Sequence, residues 1–458
     1  MKTDQKSLAA WAANERSAFE NALRDFVEIP SVSADPNHAN DVRRCADRAA
    51  QLIREFGGEA KVLETDGFPL VSGRFDSGDK NAPTVTIYNH LDVQPASRET
   101  EPWNTDPFTF TKEGDRYFGR GTTDDKGPAL SALWGIKAAR EAGVPINLRV
   151  LWELEEEIGS PNFESGIKTH AKEVATGHIL VSDTIWVSRD RPACPAGLRG
   201  LQGFSLILET GTTDQHSGVT GGAARNPIGE LMQLVSEMYD ARTGKVKIKG
   251  FYDDVAAPSR AELKDFASSG FTVKQFKKDH LFKSIRTEDA MDVMKRIWAM
   301  PTFEVHGLVG GYTGPGIKTV IPPRAEVKIS CRLVPKQDPK KIMKLIREFV
   351  KQRNPDVKID VENQMYPYLA PTTGPLADAV RDAMKFSFGR EPVFVREGGS
   401  IGAVISMEKV LKCPVLFLGL SLPEHGYHAP NENYDWRQAS GGIVAFVRYF
   451  ENVSKLRS

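Results

Sequence analysis

Acidic and imidazole side chains recur just beyond short apolar runs in this sequence. TVTIYNHLDV puts His90 and Asp92 after the run 84–88, and RGTTDDKGPAL puts Asp124 and Asp125 ahead of Gly127, Pro128 and an apolar helix. LRVLWELEEEIGS carries Glu155, Glu156 and Glu157 past the run 148–152, HILVSD ends on Asp183, and PVLFLGL leads into LPEHGYHAPNEN with His425 and His428. In extended backbone His90 and Asp92, two residues apart, point to the same side, so one can bind a metal while the other orients its imidazole. Taken singly, each position has an ordinary explanation: Asp124 or Asp125 caps a helix, the three glutamates form a solvated face, His428 sits in a loop. Capping and solvation give no reason for five strand-end positions to carry one chemical type, and oxygen with imidazole donors suits zinc, manganese or cobalt.

Those positions need a scaffold that gathers strand ends. Leu8, Trp11, Ala12, Phe19, Leu23 and Phe26 fall at helical spacing over 7–27. From there to about residue 195, apolar runs at 84–88, 148–152 and 178–182 alternate with helical patterns such as 129–143, which predicts an α/β layer with a mostly parallel sheet. Open sheets of this kind place their sites beyond the carboxyl ends of the strands. Between the turn-rich stretches 197–204 and 368–375 the pattern changes. AEVKISCRLV alternates, with Val327, Ile329, Cys331 and Leu333 on one face and Glu326, Lys328, Ser330 and Arg332 on the other. Asp338 then caps a helix with Pro339 in its first turn and a buried stripe of Ile342, Leu345, Ile346, Phe349 and Val350. The continuous apolar run 414–420 suits the first sheet again. The expected division is an α/β domain over 1–200 and 375–458, with an inserted α+β domain over 201–374.

At 458 residues the chain exceeds one hydrophobic core, and 40% hydrophobic with 26% charged residues is ordinary for a globular protein. Lys plus Arg equals Asp plus Glu, 60 each, so no global field recruits nucleic acid or an anionic membrane. Residues 1–28 are interrupted by Lys6, Glu15, Arg16 and Glu20 and hold no apolar run of signal or spanning length, which reads as a cytoplasmic protein. Cys45, Cys194, Cys331 and Cys413 are far apart and read as buried thiols.

HLDV, GRGTTDDKGP, ELEEEIGS, VSD, DQHSGVTGG, SCRLVP, REGGSI and HAPNE, in this order along nearly the whole chain, resemble the carnosinase and aminoacylase family of dinuclear metallopeptidases, and most of all its cytosolic nonspecific dipeptidase branch. The resemblance implies one divalent ion, zinc above manganese or cobalt, held by His90, Asp124 and Asp183, and a second held by Asp124, Glu157 and His428. It implies that Asp92 supports the histidine ligand, that Glu156 is the general base for a water between the metals, and that the peptide from Asp124 to Asp125 is cis. By the same resemblance 1–200 with 375–458 is the catalytic domain and 201–374 a lid and dimerisation domain. His216 would polarise the scissile carbonyl in the partner's site, hence a homodimer, and Arg332 would take the substrate carboxylate. Glu397 is the candidate for the substrate amine, with Gly398, Gly399 and Ser400 as backbone and hydroxyl donors and Thr319 as a further substrate contact. Physical chemistry supports the same division of labour: a water between two cations is acidified to roughly neutral pKa, and a glutamate that shuttles its proton cannot also be a ligand. Glu155 is left as a solvated or helix-capping residue, and His38, His170, His178, His280, His306 and His425 as structural or exposed. Where the dipeptidase branch carries a histidine late in the insert, this chain reads NQMYPYLAPTTG, so Tyr366 and Tyr368 are expected to line the pocket instead.

The reading is a metal-dependent hydrolase of dipeptides or similar small peptides with a free carboxylate. Its rivals are an N-acyl-amino-acid amidohydrolase and a non-catalytic dimeric binding protein. The first differs in not requiring a free amine, the second in lacking a ligand or the base.

Overall fold

The computed structural model describes every residue except Lys80, Glu397, Gly398, Ser400, Arg457 and Ser458. A six-stranded sheet runs Glu59–Leu63, Leu70–Phe75, Asn147–Glu153, Thr84–His90, His178–Val181, Val415–Phe417 in spatial order. The last four are mutually parallel and the first two join antiparallel at the edge. The strand Thr84–His90 lies between neighbours in register, His90 opposite Glu153 and Tyr88 opposite Val181. Three strands that point the same way therefore deliver His90, the acidic run after Glu153, and Asp183 to one edge, which is why residues far apart in sequence can meet.

Parallel strands buried on both faces carry little alternation, and here Val85 to His90 are all buried. Val85, Ile87, Val150 and Leu180 pack beneath the helices Gln5–Val27, Ala39–Glu55, Lys126–Glu141 and Trp436–Ser454. Tyr88, Leu151, Val181 and Phe417 face Phe163 and Ile167 on one helix and Val404 and Met407 on another. The long amphipathic helix expected over 7–27 spans Gln5–Val27, with Asp4 accepting from Ser7 N at its cap.

The second sheet is antiparallel, in the order Glu304–Val309, Arg324–Leu333, Gly200–Glu209, Lys358–Met365. Its inner face, with Val327, Ile329, Cys331, Phe204 and Leu206, is covered by the helices Pro227–Met238 and Pro339–Arg353. Arg332 sits on the opposite face, as the alternation requires. Between the two sheets Ala193–Leu198 pairs with Val393–Arg396 and Tyr368–Leu369. Helices from within 201–374 lie on this small sheet: Phe266, Met294 and Trp298 pack on Ala193, Val393 and Val395, and Arg396 Nε meets Glu262 Oε1 at 2.9 Å. The four cysteines are buried and unpaired. Among the described residues no helix is long and apolar enough to cross a membrane.

Candidate metal centre

The site grows from the end of the strand Thr84–His90. His90 is fully buried, and its Nδ1 donates to the Asp92 main-chain carbonyl at 3.0 Å, with the Asp92 carboxylate at 3.4 Å. That leaves Nε2 facing Asp124 Oδ1 at 3.0 Å and Asp183 Oδ2 at 3.8 Å. Asp92 also reaches further than its expected role: its carboxylate accepts from Ser33 Oγ at 2.6 Å, Glu156 N at 3.2 Å and Glu157 N at 3.1 Å. One buried carboxylate thus fixes both the imidazole and the single helical turn Glu156–Ile158 that carries two further acidic groups.

Asp124 comes from the loop before the helix Lys126–Glu141, and the Asp124–Asp125 peptide is cis. Gly127 follows where a Cβ would come within 2.1 Å of the Thr122 carbonyl oxygen, so only glycine fits. Asp125 occupies the helix cap position but makes no capping hydrogen bond; its carboxylate accepts from Asn89 Nδ2 at 2.7 Å instead. His428, in left-handed backbone at φ 56°, completes the cluster from the far side, its Nε2 at 3.1 Å from both Asp124 Oδ2 and Glu157 Oε2. His90, Asp124 and Asp183 form one group able to hold a metal ion, and Asp124, Glu157 and His428 form another, with Asp124 common to both.

The electrostatics fit divalent cations. Among the described residues no lysine or arginine pairs with Asp124, Asp183, Glu156 or Glu157, and the Asp124 carboxylate instead meets the imidazoles of His90 and His428. Burial pushes the Asp183 carboxyl up to about 7, and burial with the charges of Asp183, Glu157 and Glu153 pushes Glu156 well above the carboxylate range. Burial opposes charge on His90, yet hydrogen bonding to Asp124 and Asp92 and the field of Asp183 raise it well above an ordinary histidine. Hydrogen bonds to Asp124 and Glu157 raise His428 to about 10. The cluster attracts positive charge strongly, and its oxygen and imidazole donors suit divalent metal ions.

A cleft of about 520 Å³ opens over the cluster, lined by Glu156, Asp183 and His428 on one side and by Arg332, Met365 and Gly399 on the other. Burial lowers the pKa of the Arg332 guanidinium. His216 and Thr319 lie together elsewhere: exposed His216 is opposite Val320 in a pair of short strands, Thr319 directly precedes the second of them, and neither lines this cleft. Glu397 and Ser400 lie outside the described residues.

Two expectations need correction, while His425 is structural as expected. Tyr366 and Tyr368 do not line the cleft: Tyr368 is buried with its hydroxyl donating to the Val415 carbonyl at 2.9 Å, Tyr366 is exposed, and Met365 takes the place expected of them. Glu155 is not solvated: it is buried and accepts from Phe68 N at 2.9 Å and from Asn162. His425, three residues before His428, is a buried support bonded to Thr123 and Asp435.

The profile of Peptidase family M20/M25/M40 matches residues 86–452. The chain belongs to that family. It is 32% identical over 477 residues to the Cys-Gly metallodipeptidase dug1 of Schizosaccharomyces pombe, covering all of both chains. Among solved structures it is similar to the di-peptidase Dug1p of Saccharomyces cerevisiae, at 27% identity and TM-score 0.85 over all of both chains. It is also similar to the M20 family metallo-carboxypeptidase Sso-CP2 of Sulfolobus solfataricus, at 29% identity and TM-score 0.86 over 95% of this chain and 98% of that one. The family expected from the ordered motifs is thus the family found, and the M20 membership makes this chain a metal-dependent hydrolase.

The structure also brings in residues that sequence reasoning left without roles. Glu432, fully buried, accepts from Gly121 N, Thr123 N and Asp124 N at 3.0, 2.9 and 3.1 Å and pairs with Arg120 at 2.9 Å, so it shapes the loop that presents Asp124. Gln94 donates to Glu157 Oε2 at 2.7 Å, and the Tyr427 hydroxyl to Asp183 Oδ1 at 3.3 Å. Glu432 and Tyr427 do lie within the stretch LPEHGYHAPNEN, 422–433, that the motifs marked, which is the one signal that pointed to them.

Proposed function

We propose that this M20 enzyme is a dipeptidase that works with two divalent ions, zinc above manganese or cobalt. The observation that carries the reading is the sharing of Asp124 between two three-residue groups of metal-ligating type, with Glu156 beside them in the same cleft. His90, Asp124 and Asp183 would hold one ion, and Asp124, Glu157 and His428 the other. Bound there, the ions would lower the pKa of a water and polarise the substrate carbonyl. Arg332 receives the substrate carboxylate across the cleft, because a forked guanidinium matches two carboxylate oxygens. Glu156 takes a proton from the attacking water and returns it to the leaving nitrogen as the C–N bond breaks.

The relatives' dipeptidase names and a cleft sized for a small molecule support dipeptides as substrates. The residues 201–374 then act as lid and dimerisation region, and exposed His216, with Thr319, completes the partner's site in a homodimer. Four unpaired buried thiols favour a reducing, cytoplasmic setting.

A hydrolysis screen tests this reading: dipeptides, their N-acetylated counterparts and longer peptides, each with chelator and with zinc, manganese or cobalt added back. Dipeptides should be cleaved at least about tenfold faster than N-acyl amino acids, since a site built for an amine rejects the analogue lacking it. Preference for N-acyl amino acids, or cleavage that survives the chelator, contradicts it.

A further inference from the structure

A second cavity, about 690 Å³ and larger than the cleft, lies in the inserted region between the helix Ala290–Trp298, the turn at 243–245 and the segment 300–304. Four cationic side chains line it, Lys245, Arg286, Lys295 and Arg296, against two carboxylates, Asp292 and Glu304. Asp292 is engaged by Arg296 Nε at 2.9 Å, and Arg296 Nη1 donates to the Thr243 carbonyl at 2.8 Å. Among the described residues no carboxylate comes within 4.0 Å of Lys245, Arg286 or Lys295.

Two guanidinium groups converge on one bare stretch of backbone. A Cβ built on Gly244 would stand 3.5 Å from Arg286 Cζ and 3.6 Å from Arg296 Nη1. Gly244 has φ +75°, so the turn that brings the two groups together also needs glycine. Like charges gathered at a cavity wall repel unless an anion lies between them, and guanidinium pairs hold phosphate-type oxygens in bidentate fashion. Tyr252, Val255, Met300 and Pro301 give the remaining wall an apolar part beside Thr243 and Thr302.

This wall is also the back of the cleft. Thr302 N donates to the Arg332 carbonyl at 2.9 Å, and Arg332 N donates to Thr302 Oγ1 at 3.3 Å. The Arg199 guanidinium, whose backbone N donates to the Gly399 carbonyl, donates in turn to the carbonyls of Met300 and Arg296.

We propose that this cavity binds a small organic dianion of the phosphomonoester type, its head between Arg286, Arg296 and Lys295 and its apolar body against Tyr252, Val255 and Met300, and that occupancy is felt at Arg332 through Thr302. The binding stands apart from the dipeptidase reading; the effect on substrate rests on it.

Phenyl phosphate, titrated calorimetrically into the metal-loaded enzyme at low salt, tests the site. The wild type binds it saturably, the Arg286→Ala/Lys295→Ala variant binds at least about tenfold more weakly, and Arg332→Met binds within about twofold of wild type. Absence of binding, or binding lost in Arg332→Met and kept in the double variant, overturns the site. Dipeptide hydrolysis tests the coupling: phenyl phosphate shifts KM at least about twofold, to a plateau, at unchanged kcat. The double variant keeps wild-type hydrolysis without phenyl phosphate and loses the shift. A KM that rises without limit, or that shifts equally in the double variant, overturns the coupling.

Discussion

Replacing Glu432 by glutamine changes one oxygen to an amide nitrogen in a position with no room for a wrong donor. In the native carboxylate Oε2 accepts from Arg120 Nη1 and Gly121 N, and Oε1 accepts from Thr123 N and Asp124 N. Whichever way the amide turns, its NH2 faces a pair of N–H donors. In either orientation Arg120, which is 1% exposed and lies over the Trp103 ring, is left buried without its charge partner. Breaking a buried ion pair from one side costs about 3–5 kcal/mol, and an orphaned buried N–H about 1–3 kcal/mol, part of it the same loss. We expect Glu432→Gln to lose roughly 4 kcal/mol, a large share of the roughly 5–15 kcal/mol that holds a protein together. Because the same carboxylate holds Asp124 N, metal affinity should fall by about 10–100-fold as well. Denaturant unfolding and metal titration of the purified variant measure both. Arg120→Met added to Glu432→Gln removes the stranded cation and should recover at least about 1 kcal/mol. A single variant within about 1 kcal/mol of wild type, with unchanged metal affinity, would refute this account of the Asp124 loop.

Three further outcomes follow from the site and the core. Glu156→Gln should keep wild-type metal content while kcat drops at least about 100-fold; retained turnover removes Glu156 as the base. Arg332→Lys should raise KM at least about tenfold for dipeptides with a free carboxylate and leave C-terminal amides, already poor substrates, little changed; an equal effect on both contradicts the carboxylate contact. Burial alone drops His178 from 6.5 to about 4, with Tyr449 Oη at 2.7 Å from its Nε2. Its neutral ring therefore supports the fold fully above about pH 6.5, and that support is lost as pH falls toward 4, by about 3 kcal/mol. The stability of His178→Gln should depend less on pH across that window in thermal melts; an unchanged acid slope contradicts the assignment.

Much of the centre was legible because its residues sit where strands end. Apolar runs mark strands, parallel neighbours put their carboxyl ends on one edge, and His90, Glu156, Glu157 and Asp183 follow those runs directly. The alternation in 325–334 likewise put Arg332 on the face away from the core. What escaped was held by main-chain partners, which leave no trace in side-chain identity. Glu432 bonds to amides about three hundred residues earlier. Glu155 looked like one of three solvated acids, yet Phe68 N and Asn162 bury it. Strand parity said nothing about Tyr368, whose hydroxyl is bound to Val415. Nor did composition reveal that helices from the middle of the chain lie on the strands 193–198 and 393–396, since their partners, Ala193 and Val395, are ordinary apolar residues.

Two ion sites that share Asp124 can be counted in solution. Chelator-stripped protein titrated with zinc under equilibrium dialysis should take up two equivalents per chain, with hydrolysis returning as they bind, while Asp124→Asn should retain neither site at comparable affinity. A wild-type protein that saturates at one equivalent or none, or an Asp124→Asn protein that still binds two, would contradict the shared-carboxylate centre.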